Sequence, residues 1–389
     1  TTLTSAHRPR LIESTHTTTI LTRRESYSTN SAETVRMPTN PRLRDNNFDF
    51  IRLILAMIVC LVHAAELSQQ SLLKPIGLVL SSKLAVDAFF VISGFLIFMS
   101  YERTSSLRRY AIKRARRIYP AYLCIILLCA FGLFTLSGLP VDQYFSADWF
   151  KYLVANLTFL NFLAPSLPGV FENNLLQAVN GALWTIKIEV MFYCSVPLIV
   201  WFAQRFGRLP VLLGLFTLSS LYSLVLWHFY AQSQNEVFAF LERQLPGQLR
   251  YFLAGGFIYY YLAYFERHVK WLVPLAISLY LASVWVPLRL IEPLALAVLV
   301  LFVALFGYAG NFGKYGDFSY GAYICHFPII QILVSLGLYS YSPLLGLLAS
   351  VLLTLIAAVA MWHLVEKRFL LRSSHYVSTQ QRSRNPRPV

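Results

Sequence analysis

The sequence predicts an all-α membrane protein, a polytopic bundle of about ten transmembrane helices with both termini in the cytoplasm. Of the 389 residues, 57% are hydrophobic and only 13% are charged, whereas about a quarter of the residues of a soluble domain are charged. The apolar residues form long runs, and a spanning helix needs about 20 mostly apolar residues. The formal net charge of +15 is placed between these runs, as in loops beside membrane lipids. We therefore expect no nucleic-acid partner.

Residues 1–47 form the first region, a basic arm rich in Ser and Thr. This segment has no apolar periodicity, so we expect it to be disordered. It also lacks the continuous apolar core of a signal peptide. Met37 is a plausible native start, with the preceding residues as an extension.

The transmembrane domain is expected over residues 48–370, followed by a cytoplasmic basic tail over 371–389. The weaker apolar run 152–164 is too short to cross a bilayer and is predicted to be re-entrant or interfacial. It lies in the longest loop, 139–182, and loops of this length tend to be functional. The predicted spans are 49–67, 84–101, 118–138, 183–203, 210–229, 249–265, 271–287, 290–308, 319–338 and 343–365.

Orientation follows from the Lys and Arg residues in the short loops, because positively charged loops stay in the cytoplasm. The loop 102–117 is the most basic, and the outer loops are poor in Lys and Arg when the N-terminus is placed inside. The first span then runs outward. Arg52 lies near its cytoplasmic end and His63 in its outer half.

Ionisable residues inside apolar segments are the candidate site, because charge in a membrane span is costly and rare without a role. Arg52 and His63 are eleven residues apart, which puts them within ~20° of one helix face and ~16 Å apart along the axis. Asp87 and Glu189 lie on inward-running spans and are expected at the depth of His63. His326 is expected in the inner half of its span, away from His63.

These positions predict a basic opening on the cytoplasmic side and an acid/base centre nearer the opposite side of the membrane. Arg114 and Arg117 lie in the basic loop, level with Arg52, and the planar fork of arginine matches phosphate well. A histidine can remove a hydroxyl proton near neutral pH, and a neighbouring carboxylate can set its tautomer. The arrangement suits a phosphate-bearing donor inside and a hydroxyl acceptor outside.

Several motifs contain these residues. Arg52 and His63 form R-x10-H, and the later motifs follow in a fixed order. Together they resemble acyltransferase family three, the bacterial integral-membrane O-acyltransferases that act on glycans, over nearly all of residues 48–370. The later motifs are DAFFVISGFLI (Asp87 to Ile97), KRARRIYPAY (Lys113 to Tyr122), LWTIKIEVMFY (Leu183 to Tyr193), FSYGAYICHFPI (Phe318 to Ile329) and VEKRF (Val365 to Phe369).

The resemblance implies a ten-helix bundle in a bacterial inner membrane that transfers an acyl group, usually acetyl, from cytoplasmic acyl-CoA to a glycan hydroxyl. The acceptor would be a surface polysaccharide, a lipopolysaccharide or another glycan, and glycan-assembly proteins are candidate partners. The resemblance implies catalysis by His63 and a role for Glu189. It also implies acyl-CoA binding by Arg52, Arg114 and Arg117.

Asp87 is added to the catalytic set from its expected depth alone. No metal is expected, because the five cysteines lie in apolar segments without metal-ligand spacing. The acceptor sugar and the length of the acyl chain stay open.

Each candidate also has a structural interpretation. His63 could make an interhelical hydrogen bond, Arg52 could extend to the lipid interface, and Asp87 could pair with a buried arginine. Glu189 could be solvated near a span end, and 108–117 could be a topology anchor. A covalent acyl relay is an alternative mechanism. A transporter or flippase is an alternative function, but it predicts internal repeats with broken helices, and no convincing repeat between the halves is present.

Overall fold

The computed structural model describes residues 41–285, 289–310 and 312–371. Every regular element within these ranges is helical, which confirms the predicted all-α class. Twelve of these helices have seven residues or more. They are α1 Phe48–Ser68, α2 Ser82–Glu102, α3 Leu107–Gly132, α4 Ala147–Leu157, α5 Trp184–Phe206, α6 Arg208–Ser233, α7 Glu236–Glu242, α8 Leu245–Tyr260, α9 Leu262–Trp285, α10 Glu292–Leu305, α11 Ser319–Ser335 and α12 Pro343–Met361.

Six helical segments of the described chain are long and apolar enough to cross a membrane, and they contain α1, α2, α3, α5, α6 and α12. The other four predicted spans fall on α8 to α11. Of these, α8, α10 and α11 have only 16, 14 and 17 residues, fewer than the roughly 20 that a perpendicular span needs. The predicted span 271–287 ends outside the described residues. The count of ten therefore stays a prediction.

The last residues of the predicted arm, 41–47, are described and belong to the bundle, whereas residues 1–40 lie outside the described residues. Asn47 is buried, donates from Nδ2 to the carbonyl of Val303 at 3.0 Å and accepts from the Ala309 amide at 2.9 Å. These bonds fix the entry of α1 against the end of α10. Of the predicted tail, only Leu371 is described.

Helices α2 and α8 touch through their backbones at two glycines. A Cβ atom on Gly94 would lie 1.9 Å from the carbonyl oxygen of Phe252, and one on Gly255 would lie 2.0 Å from that of Val91. Small residues allow this close approach in membrane bundles, where tight packing has to replace the hydrophobic effect between helices. The crossing places α2 in the centre of the bundle.

Helix α11 is the most enclosed element. From Ser319 to Pro328 every side chain is buried, as expected of a helix that is apolar around its circumference. At Gly321 an added Cβ would lie 3.0 Å from the Cα atom of Ala358, so α11 packs tightly on α12. Its other neighbour is α1, which contains Arg52 and His63.

The long loop between α3 and α5 is fixed onto the outer part of α11. Pro328 has no backbone N–H, so the carbonyl of Ile324 loses its helical hydrogen bond; it accepts instead from Asn180 Nδ2 at 2.8 Å. One turn further, the buried amide of Gln331 donates to the carbonyl of Leu176 at 2.6 Å. The loop thereby satisfies polar groups of α11 beside His326. The run 152–164 within it forms α4 and a 3-10 turn, both too short to cross a bilayer.

Candidate functional site

Three cavities follow one another along α1 and α2, and we name them inner, middle and outer after the predicted topology. The inner cavity has a volume of about 390 Å³, the middle cavity about 30 Å³ and the outer cavity about 610 Å³. Arg52 lines both the inner and the middle cavity. Val86 and Tyr323 line both the middle and the outer cavity. Arg52 and His63 therefore open onto different cavities, and the small middle cavity shares lining residues with both of them.

The inner cavity is basic and contains the predicted Arg114. Its Nη2 donates to Ser100 Oγ at 3.0 Å, and its guanidinium lies 5.6 Å from the centre of the Tyr193 ring. The Nε atom of Arg114 is buried without a hydrogen-bond partner. An unpartnered guanidinium N–H beside a basic cavity fits a phosphate ligand. Five bases (Arg52, Arg103, Lys113, Arg114, Arg117) outnumber two carboxylates (Asp49, Glu189) in the lining.

Asp317 organises the arginines at the base of this cavity. Its side chain is fully buried and accepts hydrogen bonds from Arg52 Nη1 at 2.5 Å and from Arg117 Nη2. The hydroxyl of Ser319 donates to the other carboxylate oxygen at 2.5 Å. Burial alone would raise the pKa of Asp317, but Arg117, Arg52 and the bonds from Ser319 hold it well below its usual range. Asp317 is therefore an anion between two cations.

Arg117 is held by a second carboxylate as well. Its Nη1 donates to Glu366 Oε2 at 2.9 Å, at the end of the helical segment that continues α12. Arg117 therefore joins α3 to the start of α11 and to this segment, and it has less capacity for a phosphate than Arg114. Asp317 and Glu366 were absent from the predicted site. Both could have been found from the sequence, because each is an acid at the end of an apolar span. Asp317 comes directly before the motif FSYGAYICHFPI, and Glu366 lies within VEKRF.

Glu189 does not lie where the sequence placed it. It lines the inner and middle cavities with Arg52, and the outer cavity with His63 does not include it. Its Oε1 accepts from Tyr193 at 2.6 Å and from Ser93 at 3.3 Å. The expectation that Glu189 shares the depth of His63 is wrong, because counting residues from a predicted span end ignores helix tilt and the depth at which each helix starts.

His63 is bonded to His326, contrary to the expectation that these residues lie apart. His63 Nδ1 and His326 Nε2 are 2.9 Å apart, and the rings are stacked with centroids 5.1 Å apart. Helix α11 starts two residues after Asp317, which is bonded to Arg52. His326 lies seven residues after Ser319, ~10 Å further along α11, where its ring meets that of His63.

The direction of this hydrogen bond depends on the tautomers of the two rings. The Nδ1 atom of His326 is buried without a hydrogen-bond partner in the described part of the chain. When the proton of His326 is on Nδ1, its Nε2 atom accepts from the His63 Nδ1–H, and the Nε2 atom of His63 keeps a free lone pair.

Asp87 shares the outer cavity with His63 but does not bond to it. Its carboxylate is bound by Lys83 Nζ at 2.7 Å, one turn earlier in α2. The expected carboxylate partner of His63 is thus replaced by an imidazole. Among the described residues, no group of three or more His, Cys, Asp or Glu side chains could hold a metal ion.

Comparison with known proteins decides the family. The sequence matches the acyltransferase domain model of family three over residues 45–363. The chain belongs to acyltransferase family three. The resemblance stated from its motifs is therefore confirmed.

Three relatives illustrate the similarity, and two of them are named O-acetyltransferases. The chain is 29% identical to an O-acetyl transferase of Shigella phage Sf6 over 343 residues, which cover 86% of this chain and 99% of the relative. It is 26% identical to nodulation protein 10 of Rhizobium leguminosarum over 316 residues, 75% of this chain and 84% of the relative. It is 26% identical to a peptidoglycan O-acetyltransferase, OatA, of Listeria monocytogenes over 163 residues, 37% and 24% of the two chains. No solved structure matches significantly.

Removing the charge of Asp317 should destabilise the family-three bundle. Asp317→Asn leaves two buried guanidinium groups without their shared anion, and breaking a buried pair costs about 3–5 kcal/mol. We expect a clearly lower unfolding midpoint for the detergent-solubilised protein, followed by tryptophan fluorescence during titration with a denaturing detergent.

Asp148→Asn is the matched control. Asp148 pairs with Lys151 at 2.8 Å, but its side chain is 74% exposed, so its loss should leave the midpoint unchanged. Equal midpoints for Asp317→Asn and the unmodified protein would contradict the stabilising role of this cluster.

Proposed function

We propose that this protein transfers an acyl group, most simply acetyl, from acyl-CoA bound in the inner cavity to a glycan hydroxyl in the outer cavity, with His63 as the general base. The observation that carries the proposal is the row of cavities, which has arginines at one end and a bonded histidine pair at the other. Family membership and the O-acetyltransferase relatives support the reaction class.

The residues of the inner cavity suit the donor. Arg114 has an unused N–H for a phosphate, and Arg52 stands where the inner cavity meets the middle one. The ~16 Å of helix between Arg52 and His63 leaves length for an extended thioester arm. The middle cavity, of about 30 Å³, is walled by Phe89, Phe90 and Tyr323. These side chains have to separate for the arm to pass, and so narrow a space favours acetyl over a long acyl chain.

The histidine pair supplies the base. With Nδ1 donating to His326, the Nε2 atom of His63 accepts the proton of the acceptor hydroxyl as its oxygen attacks the thioester carbonyl. The new carbon–oxygen bond forms, the carbon–sulfur bond breaks, and His63 returns the proton to the leaving thiolate. In this mechanism Asp87 lines the outer cavity, Glu189 lines the inner cavity, and His326 orients His63.

The location of the protein follows from the same arrangement. We infer a bacterial cytoplasmic membrane, with the basic end of the bundle and both termini in the cytoplasm, where acyl-CoA is made. The acceptor then approaches from the outer face, from the membrane or from partner proteins that assemble glycans.

A transporter or flippase is the competing function, because a row of cavities through a bundle would also suit a passing solute. A covalent acyl relay is the competing mechanism. Acetyl transfer to glycan by the purified protein rejects the transporter, and a trapped acyl-enzyme would favour the relay.

Replacing the base should stop the reaction. We expect His63→Ala to lower acetyl transfer by at least about 100-fold, because a general base contributes on the order of 10²–10⁴-fold. Mass spectrometry of the acetylated glycan measures the loss, and the unfolding midpoint verifies the fold.

His268→Ala serves as the control for His63→Ala. His268 bonds only the carbonyl of Tyr264 in its own helix, at 2.9 Å, so this variant should keep its activity. Normal turnover by His63→Ala would remove His63 from the mechanism.

His326 should act through the orientation of His63. His326→Phe removes the acceptor for the His63 Nδ1–H. We expect kcat to fall by about 10–100-fold, with little change in the KM for acyl-CoA or in the KM for the glycan. His326→Gln places an amide oxygen near the same position and should restore part of kcat. If both variants lose activity together with stability, His326 has a packing role only.

Arg114 should bind the donor. Losing a hydrogen bond to a charged group costs about 1.5–3 kcal/mol, so we expect Arg114→Gln to weaken CoA binding by about 10–100-fold, measured by calorimetry. Arg116 is exposed on the same helix and lies outside the inner cavity, so Arg116→Gln controls for general loss of positive charge. If Arg114→Gln and Arg116→Gln bind CoA with equal affinity, Arg114 serves only as a positive charge that orients the protein in the membrane.

A further inference from the structure

The outer cavity has the size and lining of a saccharide site, and the inference drawn from it rests on the function proposed above. Its volume of about 610 Å³ lies in the range of small-molecule sites. His63 lines it, so a bound hydroxyl compound would meet the base. Four aromatic side chains also line it, namely Trp184, Trp227, Tyr230 and Tyr323. The C–H face of a pyranose ring stacks on such rings, while their polar atoms take hydrogen bonds.

One of these rings is held in place by a chain of contacts. The guanidinium of Arg289 lies 4.9 Å from the centre of the Trp227 ring, within the range of a cation–π interaction. Arg289 in turn donates to Glu242 Oε1 at 2.7 Å, and Glu242 also accepts from Ser223 at 2.6 Å. A ring fixed in this way loses little conformational freedom when a ligand stacks on it.

The charge of the outer cavity differs from that of the inner cavity. Two of its three bases are engaged in ion pairs: Lys83 is bound to Asp87 at 2.7 Å and Arg289 to Glu242 at 2.7 Å. The third base, Arg243, is exposed. Two further carboxylates of the lining, Glu66 and Glu236, can accept more hydrogen bonds than they do. The lining contains four carboxylates (Glu66, Asp87, Glu236, Glu242) and three bases (Lys83, Arg243, Arg289).

Glu66 is the carboxylate best placed to receive a sugar hydroxyl. It follows His63 by three residues, so the two share one face of α1. Its side chain is exposed to the cavity, and no group in the described part of the chain hydrogen-bonds its carboxylate. Glu236 accepts only from the Tyr230 hydroxyl, at 3.2 Å. A negatively charged group on a ligand in this cavity would be repelled by Glu66 and Glu236.

We propose that the outer cavity binds an uncharged sugar residue, stacked on Trp227 and Trp184 and hydrogen-bonded through its hydroxyls to Glu66 and Glu236, with one hydroxyl presented to His63. Sugars that contain a carboxylate or a phosphate bind more weakly at this position, because Glu66 and Glu236 repel a further negative charge. The acceptor is thereby a neutral glycan segment, while the anionic substrate belongs to the arginine-lined cavity.

The test is binding of the full-length, detergent-solubilised protein to an array of neutral and uronate-containing oligosaccharides. We expect neutral glycans to bind at least about tenfold more tightly than their matched uronates, because a charge repulsion of this size is ordinary near a protein surface. Trp227→Ala should weaken that binding about tenfold or more. Glu66→Gln together with Glu236→Gln should narrow the difference between neutral and acidic glycans.

Trp201→Ala is the matched control, since Trp201 is 58% exposed on α5 and lies outside the three cavities. It should bind glycans normally. Preference for uronates, no binding of any neutral glycan, or no effect of Trp227→Ala would overturn the proposal. CoA affinity is measured in the same samples: if glycans bind as expected but CoA does not, the proposed function fails while the saccharide site stands.

Discussion

The bundle depends on one buried anion. Asp317 holds Arg52 of α1 and Arg117 of α3 at the point where α11 begins, and Arg117 reaches Glu366 beyond α12. Isolated charges at this depth would be expensive, so the cluster is stable only when all of its members are present. The cluster lies just before the start of α11 at Ser319, and the same helix contains His326, which is bonded to His63.

The two large cavities divide the chemistry by charge. Arginines surround the inner one, where the buried Arg114 Nε has no partner, whereas carboxylates and aromatic rings surround the outer one. The middle cavity lies between them and is small, at about 30 Å³. Under the proposed function, the polyanionic donor occupies the arginine-lined cavity and the neutral acceptor occupies the other.

The sequence predicted many residues of the candidate site, but it did not predict which of them contact one another. Arg52, Arg114 and His63 line cavities, as their positions within apolar or basic segments indicated. Asp87 does share the cavity of His63, yet it pairs with Lys83. Arg117 pairs with Asp317 and Glu366, and Glu189 lines the inner and middle cavities. These placements depend on contacts between helices, which residue counting along a single span does not supply.

By itself the sequence determined the all-α class and the shared helix face of Arg52 and His63, because hydropathy and the 3.6-residue period act within one segment. Of the ten predicted spans, six correspond to membrane-length helices of the described chain. The tertiary structure alone decided the partner of His63, the anion between the arginines and the division into cavities. The hydrogen bonds among these residues join positions 200 or more apart, and they depend on helix crossings that no local pattern specifies.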